Sequence, residues 1–483
     1  MSDVAELRVD PAKREKLAAI LLAAVLLLAL PLVLASVSRT FDDGDVSWHV
    51  AAGRWMIMHG AIPTTDPFSF TAAGQPWVAM EWLADLIFGS AYQLAGYAGL
   101  AAVVAAALMA LHFILFLHLR RSVGPLGIAT TFVAMDIVLS PFILARPHVL
   151  IWPILAGWTV ILLRACEEGR APRLSWALIM VAWTNMHASF PIGFVIGAGI
   201  GFDALVKAKW ATLRQWSSFG LASLVAALVN ANGLDGLLRP FHIAGLEMLP
   251  SIVEWQSSTP AITPQFYVVL FLTLGTLLWT GAKVPAGRLA LLIVILALAF
   301  SQLRHQTWLA ITAAIILPPL FGRTGWTSLS VRPYLLAGLP LLALRAAVPL
   351  TPPDDFANPR GLIAAIPVDV GNQPVFNDYT FGGPLILAGI KPYIDGRAEI
   401  YGDAFFANYK AMVAGDWTRF DQAVRHYGIQ WTMLSRNDKL LLQELDASPS
   451  WKRIYSDRTG VIHVRITRGA AQKVSSSAIG AGR

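Results

Sequence analysis

The sequence LAAILLAAVLLLALPLVLASVSRTFDDGDVSWHVAAGRW, residues 17–55, joins a long apolar run to a dense acidic cluster. Residues 17–37 carry no charged side chain and are long enough to cross the ~30 Å hydrocarbon core of a bilayer. Three aspartates and a histidine follow within residues 42–49. Because charged groups near a bilayer are costly unless they are paired or solvated, their concentration at the end of a membrane helix indicates a polar site.

The composition of the whole chain favours a polytopic membrane protein. Of the 483 residues, 56% are hydrophobic and only 14% are charged. The sequence contains eleven apolar stretches with approximately the length of a membrane span. They are residues 17–37, 98–118, 125–144, 148–164, 174–188, 190–206, 216–232, 266–281, 288–303, 306–322 and 333–350.

The distribution of Lys and Arg predicts the orientation of these spans. With the N-terminus in the cytoplasm, the cytoplasmic segments hold sixteen Lys and Arg residues and the opposite loops hold five. This bias favours an external C-terminus and accounts for most of the net charge of +7, so no nucleic-acid partner is expected. The predicted organisation is a cytoplasmic N-terminus (1–16), a membrane domain (17–350) with a large external loop (38–97), an external domain (351–467) and a disordered tail (468–483).

Polar residues gather in the turns predicted to lie outside the cytoplasm. Asp42, Asp43, Asp45 and His49 begin the first external loop, and Glu81 lies near its end; the later external turns contribute Arg146, His148, Asn185, His187, Glu254, Arg304 and His305. The cytoplasmic turns contain mainly the basic residues that orientation requires. This one-sided pattern predicts a polar cavity that opens outward, in which carboxylates and cations neutralise one another. The alternative is that each residue is an ordinary loop residue at the level of the lipid headgroups.

The first external loop is too long and too aromatic for a simple connection. It contains four tryptophans and three prolines between residues 48 and 82. Aromatic residues are favoured where helices lie in the membrane interface. We therefore expect a helix over residues 46–59, a turn-rich segment from 60 to 76 and a second helix over 81–94.

Several motifs of the chain resemble those of a known superfamily. The strings DGDVSWHVAAGRWMIMHGAIPTTDPFSFT, PWVAMEWLA, ARPHV, NMHASFPIG and FNDYTFGGPLILAG with PYIDGRAEIYGD are spread over nearly the whole chain. They look like a bacterial, uncharacterised branch of the GT-C superfamily of membrane glycosyltransferases, which includes dolichyl-phosphate-mannose-protein mannosyltransferases and aminoarabinose transferases. The resemblance implies an α-helical polytopic membrane protein of about eleven transmembrane helices with a small C-terminal α/β domain.

The resemblance also implies an activity. Such enzymes take a sugar from a polyprenyl-phosphate-linked donor in the membrane and transfer it to an external acceptor, here a cell-envelope glycan, lipid or protein. The expected location is the bacterial inner membrane. A lipid-linked glycan transporter or flippase would also have a polar cavity among many spans, and a non-catalytic envelope-assembly protein would keep the fold. Polar residues on one membrane face, rather than at mid-membrane in inverted repeats, favour the transferase over the transporter.

The resemblance assigns candidate roles to individual residues. A loop carboxylate is the general base in such enzymes, and Asp45 is the first choice, followed by Asp43; Glu81 is a second acid/base candidate or a partner of Arg146. Asp43 and Asp45 also resemble the pair that binds a divalent cation, Mg²⁺ or Mn²⁺, in some relatives. The alternative for these aspartates is helix N-capping. The candidates for binding the carrier phosphate or the sugar are Arg146, His148, His187, Arg304, His305 and His49.

The segment after Thr351 reads as a soluble domain. The proline-rich sequence TPPDDFANPRG leaves the membrane region, and charged residues then appear at the density of a soluble protein. The pattern predicts strands at 374–377, 392–395, 430–434 and 460–466, with helices near 382–388, 403–413, 416–427 and 437–447. Its most polar turn, YIDGRAEIYGD, offers Asp395, Arg397 and Glu399 either as acceptor contacts or as an ion-paired turn.

Overall fold

A computed structural model describes residues 11–206, 210–321 and 332–466. Residues 1–10 of the predicted cytoplasmic N-terminus and the predicted disordered tail, 468–483, lie outside the described residues. The described chain is mostly helical, with several apolar helices and one small sheet near the C-terminus. This confirms the predicted fold class.

The chain separates into two compact units. The helical unit comprises the described residues of Met1–Val37, Leu94–Gly233 and Pro250–Leu350. The mixed unit comprises those of Ser38–Gln93, Leu234–Leu249 and Thr351–Arg483. Most of the first predicted loop therefore groups with the C-terminal segment rather than with the helices that flank the loop.

A helix occupies each of the eleven predicted spans. The α-helices up to residue 350 are α1 (Pro11–Ala24), α2 (Leu30–Leu34), α3 (Asp45–His59), α4 (Trp82–Leu119), α5 (Pro125–Leu139), α6 (Pro147–Glu167), α7 (Leu178–Met186), α8 (Pro191–Val206), α9 (Trp210–Ala227), α10 (Gly233–Ala244), α11 (Pro264–Thr280), α12 (Ala286–Ser301), α13 (Gln306–Ile316), α14 (Pro318–Phe321) and α15 (Arg332–Ala347). A π-helical turn, Val25–Ala29, joins α1 to α2.

The described helices differ in their capacity to span a membrane. Four are long and apolar enough to cross one: Lys16–Leu34, Trp82–Leu119, Pro125–Phe142 and Pro147–Glu167. Five further apolar helices are shorter: Leu174–Met186, Pro191–Val206, Pro264–Thr280, Ala286–Ser301 and Leu336–Ala347. Together with the fold, these helices make the chain a multi-pass membrane protein.

The loop helices form close to their predicted positions. The predicted helix 46–59 is α3, the predicted helix 81–94 is the first part of α4, and the following span is its second part. Ala95 and Gly96 break that helix, and Gly96 has a φ of 57°. Only glycine adopts this backbone conformation without strain, so Gly96 determines where the helix kinks.

The C-terminal segment forms an α/β fold. Its helices are α16 (Arg360–Ala364), α17 (Val368–Gly371), α18 (Gly382–Leu387), α19 (Ala398–Val413), α20 (Trp417–Tyr427) and α21 (Lys439–Ala447). Its strands are β1 (Val375–Asn377), β2 (Trp431–Ser435), β3 (Trp451–Ser456) and β4 (Gly460–Arg465), in the sheet order β1-β2-β4-β3. Strands β1 and β2 are parallel, and the other two pairs are antiparallel.

The sheet differs from its prediction in two places. Residues 392–395 form a loop instead of a strand, because the side chain of Asn377 holds them: its oxygen accepts from the Tyr393 N–H at 2.8 Å, and its amide donates to the Ile394 carbonyl at 2.8 Å. Strand β3 was not predicted. Its sequence, WKRIYS, has exposed basic residues that hide the apolar alternation, as is common on edge strands.

Candidate functional site

The acidic cluster forms the start of α3 in the mixed unit. The Asp43 carboxylate accepts the backbone N–H of Asp45 at 2.9 Å at the entrance of the helix. The N-cap residue of α3 is Gly44, so none of the three aspartates is the N-cap of this helix. Asp45 is the first residue of α3 and is only partly buried. Gly396, in the YIDGRAEIYGD turn, lies directly against the Asp45 carboxylate, because a Cβ at residue 396 would overlap it. This turn therefore restricts the position of the Asp45 side chain.

A histidine links two further carboxylates in the same unit. His49 Nδ1 lies 2.6 Å from Asp85 Oδ1, and His49 Nε2 lies 3.8 Å from Glu81 Oε2. His49 and Asp85 are fully buried, while Glu81 retains partial exposure. Sequence reasoning missed Asp85, although Glu81 and Asp85 are four residues apart at the start of α4 and therefore share a helix face.

The predicted acceptor turn contains a closed ion cluster. Arg397 donates to Asp66 Oδ1 at 2.6 Å, to Asp395 Oδ1 at 2.8 Å and to Asp395 Oδ2 at 2.7 Å. All three side chains are 0% exposed, and Tyr401 also donates to Asp395 at 2.6 Å. Burial raises the pKa of Asp395, but Arg397 outweighs it and holds the pKa below its usual value. Arg397 and Asp395 thus form an internal ion pair, which is the second of the two predicted alternatives.

A cationic cluster lies in the helical unit. Arg146 Nη1 lies 3.0 Å from Glu254 Oε2, and Arg304 Nη1 lies 3.6 Å from Glu254 Oε1. The guanidinium carbon of Arg304 also stands 3.7 Å from the centroid of the Trp255 ring. All three charged side chains remain partly exposed, at 16% for Arg146 and 25% for Arg304 and Glu254.

Local sequence explains how these three side chains meet. Arg146 precedes Pro147 and is extended, with φ −123° and ψ 159°, because the proline disfavours a helical residue before it. Glu254 and Arg304 belong to the short 3-10 turns Val253–Trp255 and Leu303–His305. A backbone hydrogen bond of 3.0 Å, from the Leu303 N–H to the Gln256 carbonyl, joins the segments that carry these turns.

Three histidines near the cationic cluster add polar contacts. His148 Nε2 lies 2.7 Å from the Phe142 carbonyl, and the rings of His148 and His187 are 6.5 Å apart. Desolvation, followed by Arg304 and His148, holds the pKa of His187 well below its usual value. Burial and then Arg304 lower the pKa of His305 to about 3, and its ring stacks on Trp308. At neutral pH, His187 and His305 are therefore uncharged.

The described residues do not gather the ligands of a metal site. Over residues 11–206, 210–321 and 332–466, no group of three or more His, Cys, Asp and Glu side chains could hold a metal ion. Asp43, one of the two candidate ligands, already accepts a backbone hydrogen bond.

The architecture has counterparts among solved structures. The structure of ArnT from Cupriavidus metallidurans bound to undecaprenyl phosphate matches with a TM-score of 0.53 at 14% identity, over 92% of this chain and 98% of that chain. The apo state of the same protein gives 0.52 at 15%, over 95% and 99%. The Archaeoglobus fulgidus oligosaccharyltransferase, in the apo form, gives 0.52 at 10%, over 87% and 69%.

These proteins are membrane glycosyltransferases of the GT-C superfamily. The chain has the GT-C fold. The resemblance read from the sequence is thereby confirmed at the level of the fold, which is what identities of 10–15% establish. No protein-family model matches the sequence, and no curated protein sequence does.

Proposed function

We propose that the protein is a membrane glycosyltransferase of the bacterial inner membrane. It transfers a sugar from a polyprenyl-phosphate-linked donor to a cell-envelope glycan, lipid or protein outside the cytoplasm. In this proposal the N-terminus is cytoplasmic and residues 351–467 are extracytoplasmic. The observation that carries the proposal is a pair of partly exposed arginines around one carboxylate, on a GT-C fold.

The cationic cluster is proposed to hold the leaving group. During transfer, the bond between the anomeric carbon and the phosphate oxygen breaks, and its electron pair leaves with the carrier phosphate. Arg146 and Arg304 donate charge-assisted hydrogen bonds that strengthen as this charge grows. His187, which is neutral, offers polar contacts to the sugar or phosphate without adding charge.

Asp45 of the mixed unit is proposed as the general base. It accepts the proton of the acceptor hydroxyl or amine as the new bond to the anomeric carbon forms. Asp43 is a weaker candidate because its carboxylate serves the α3 backbone, and Glu81, which faces His49, is the second choice. A divalent cation at Asp43 and Asp45 remains a separate proposal; transfer that EDTA abolishes and Mg²⁺ restores would support it.

Binding of undecaprenyl phosphate to the purified protein tests the proposed leaving-group site. Replacing Arg304 with alanine removes one of two guanidinium groups, so we expect the affinity to fall about tenfold or more. Arg304→Lys should recover part of the loss, because an ammonium keeps the charge but lacks the planar fork. Arg425→Ala, which removes an exposed arginine of α20, is the matched control and should bind like the wild type.

A purely structural role for Arg304 gives a different result. If Arg304 only holds its turn to Glu254, the alanine variant should lose thermal stability while lipid affinity in the folded fraction stays unchanged. Comparable binding of undecaprenol, which lacks the phosphate, would also contradict the proposal. Either result would exclude Arg304 from the phosphate site.

A further inference from the structure

The carboxylate of Glu254 bridges the two arginines of the cationic cluster. One oxygen contacts Arg146 at 3.0 Å and the other faces Arg304 at 3.6 Å. A bound phosphate would adopt the same arrangement, in which each of two anionic oxygens contacts one guanidinium group. Glu254 therefore competes with a phosphate group for the same donors.

The two arginines lie at different distances from the Glu254 carboxylate. The Arg146 contact has hydrogen-bond length, whereas the Arg304 contact, at 3.6 Å, is only an ion pair. The Trp255 ring lies 3.7 Å from the Arg304 guanidinium carbon and supports the group through its π face. Arg304 therefore has a second contact that does not involve Glu254.

The charges of the cluster can be counted. Arg146 and Arg304 contribute two positive charges and Glu254 one negative charge. Burial raises the pKa of Glu254, but Arg146 and Arg304 outweigh it and hold the pKa below its usual value, so Glu254 is ionised at neutral pH. Three histidines lie in the same region: His148 of α6, which also lowers the pKa of Glu254, and His187 after α7 and His305 before α13, which are neutral at pH 7.

The negative charge of Glu254 separates a lipid phosphodiester from a lipid phosphomonoester. A diester such as a sugar-linked donor carries one negative charge. The monoester that remains after transfer carries up to two, because its second pKa is about 6. Glu254 therefore repels the doubly charged monoester about twice as strongly as the diester at the same distance.

We propose that Glu254 is a built-in counter-ion that makes the cationic cluster prefer the phosphodiester donor over the phosphomonoester product. This inference rests on the proposed function and deepens it. Glu254 thereby favours release of the polyprenyl phosphate, and it neutralises part of the cationic charge of the cluster between turnovers.

The Glu254→Gln variant tests the proposal through lipid binding alone. Undecaprenyl phosphate should bind the variant about tenfold more tightly than the wild type at pH 8, where the ligand is a dianion, and about threefold to fourfold more tightly at pH 5.5, where most of it is a monoanion. The synthetic methyl diester of undecaprenyl phosphate, which keeps one charge at both pH values, should gain at most about threefold at either pH. Glu254→Asp keeps the negative charge, so it should gain less affinity for undecaprenyl phosphate at pH 8 than Glu254→Gln does.

Two comparisons decide the outcome. Glu168→Gln removes an exposed carboxylate paired with Arg170, and it should leave both affinities unchanged. If folded Glu254→Gln protein binds undecaprenyl phosphate no more tightly at pH 8, or gains equally for the diester, the counter-ion role is wrong. If the wild-type protein binds undecaprenyl phosphate no better than undecaprenol, the proposed function itself fails, so the two failures are distinguishable.

Discussion

Two arginine–carboxylate clusters among the described residues differ in charge balance and exposure. Arg397 in the mixed unit faces two carboxylates, and all three side chains are 0% exposed. Arg146 and Arg304 in the helical unit face Glu254, and each side chain is 16–25% exposed. The closed cluster satisfies its arginine internally, whereas the open cluster brings two arginines to one carboxylate at an accessible position. The comparison indicates that the closed cluster stabilises the fold and that the open one is suited to bind an anion.

The largest expected effect is on the rate of sugar transfer, after substitution of Asp45. This residue borders the closed cluster through Gly396 but is itself only partly buried. If Asp45 is the general base, Asp45→Asn should lower the rate of sugar transfer by about 10²- to 10⁴-fold and leave the thermal unfolding midpoint nearly unchanged. The measurement is transfer by the purified protein from its native lipid-linked donor. Wild-type transfer combined with lost stability would instead assign Asp45 to the structural cluster.

The sequence predicted much of the fold because hydrophobic length and periodicity are local properties. The eleven apolar stretches, α3 and the positions of β1, β2 and β4 follow from such patterns. The loop 392–395 could not be predicted, because one side chain, Asn377, redirects its backbone. The break at Ala95 and Gly96, in contrast, falls between the predicted helix 81–94 and the predicted span 98–118.

The candidate sites were predicted less completely than the fold. Asp45 and the two arginines were singled out by their positions in predicted external turns. The pairing of Arg397 with Asp66 joins residues 331 positions apart, so no local pattern reveals it. Glu254 was visible as an external carboxylate, but its place between Arg146 and Arg304 depends on how three separate turns pack.

Removing the arginine from each cluster tests the comparison directly. Arg397→Leu leaves two buried carboxylates without their cation, so we expect the free energy of unfolding to fall by about 3–5 kcal/mol. Arg304→Leu acts on a partly exposed pair and should cost about 1 kcal/mol or less. Chemical denaturation of the purified variants in detergent measures both. Equal losses would contradict the distinction between a closed and an open cluster, and the exposed Arg425→Leu variant gives the baseline.

A third cluster in the mixed unit is closed by a proton instead of an arginine. Asp378 follows β1 and Asp438 follows β2; both are 8% exposed, and their side chains form a hydrogen bond. The parallel pairing of β1 with β2 brings these strand ends together. Burial, followed by the charge of Asp378, raises the pKa of Asp438 to about 8. At neutral pH the pair therefore retains a proton.

The smallest expected effect is a pH dependence of the free energy of unfolding, which the retained proton causes. An unfolded aspartate has a pKa of about 3.9, so between about pH 4 and pH 8 the folded chain binds more protons than the unfolded chain. The contribution of the retained proton to stability is complete below about pH 4 and is lost as the pH rises through about 8. From pH 6.5 to 7.5 the free energy of unfolding should fall by about 1 kcal/mol from this pair.

Asp438→Asn, whose amide can still donate to Asp378, should flatten this slope. Asp421→Asn, which alters an exposed aspartate paired with Arg425, should keep it. Parallel pH profiles for the wild type and Asp438→Asn would mean that the aspartate pair holds no proton, and the mixed unit would then contain a closed cluster with unbalanced charge.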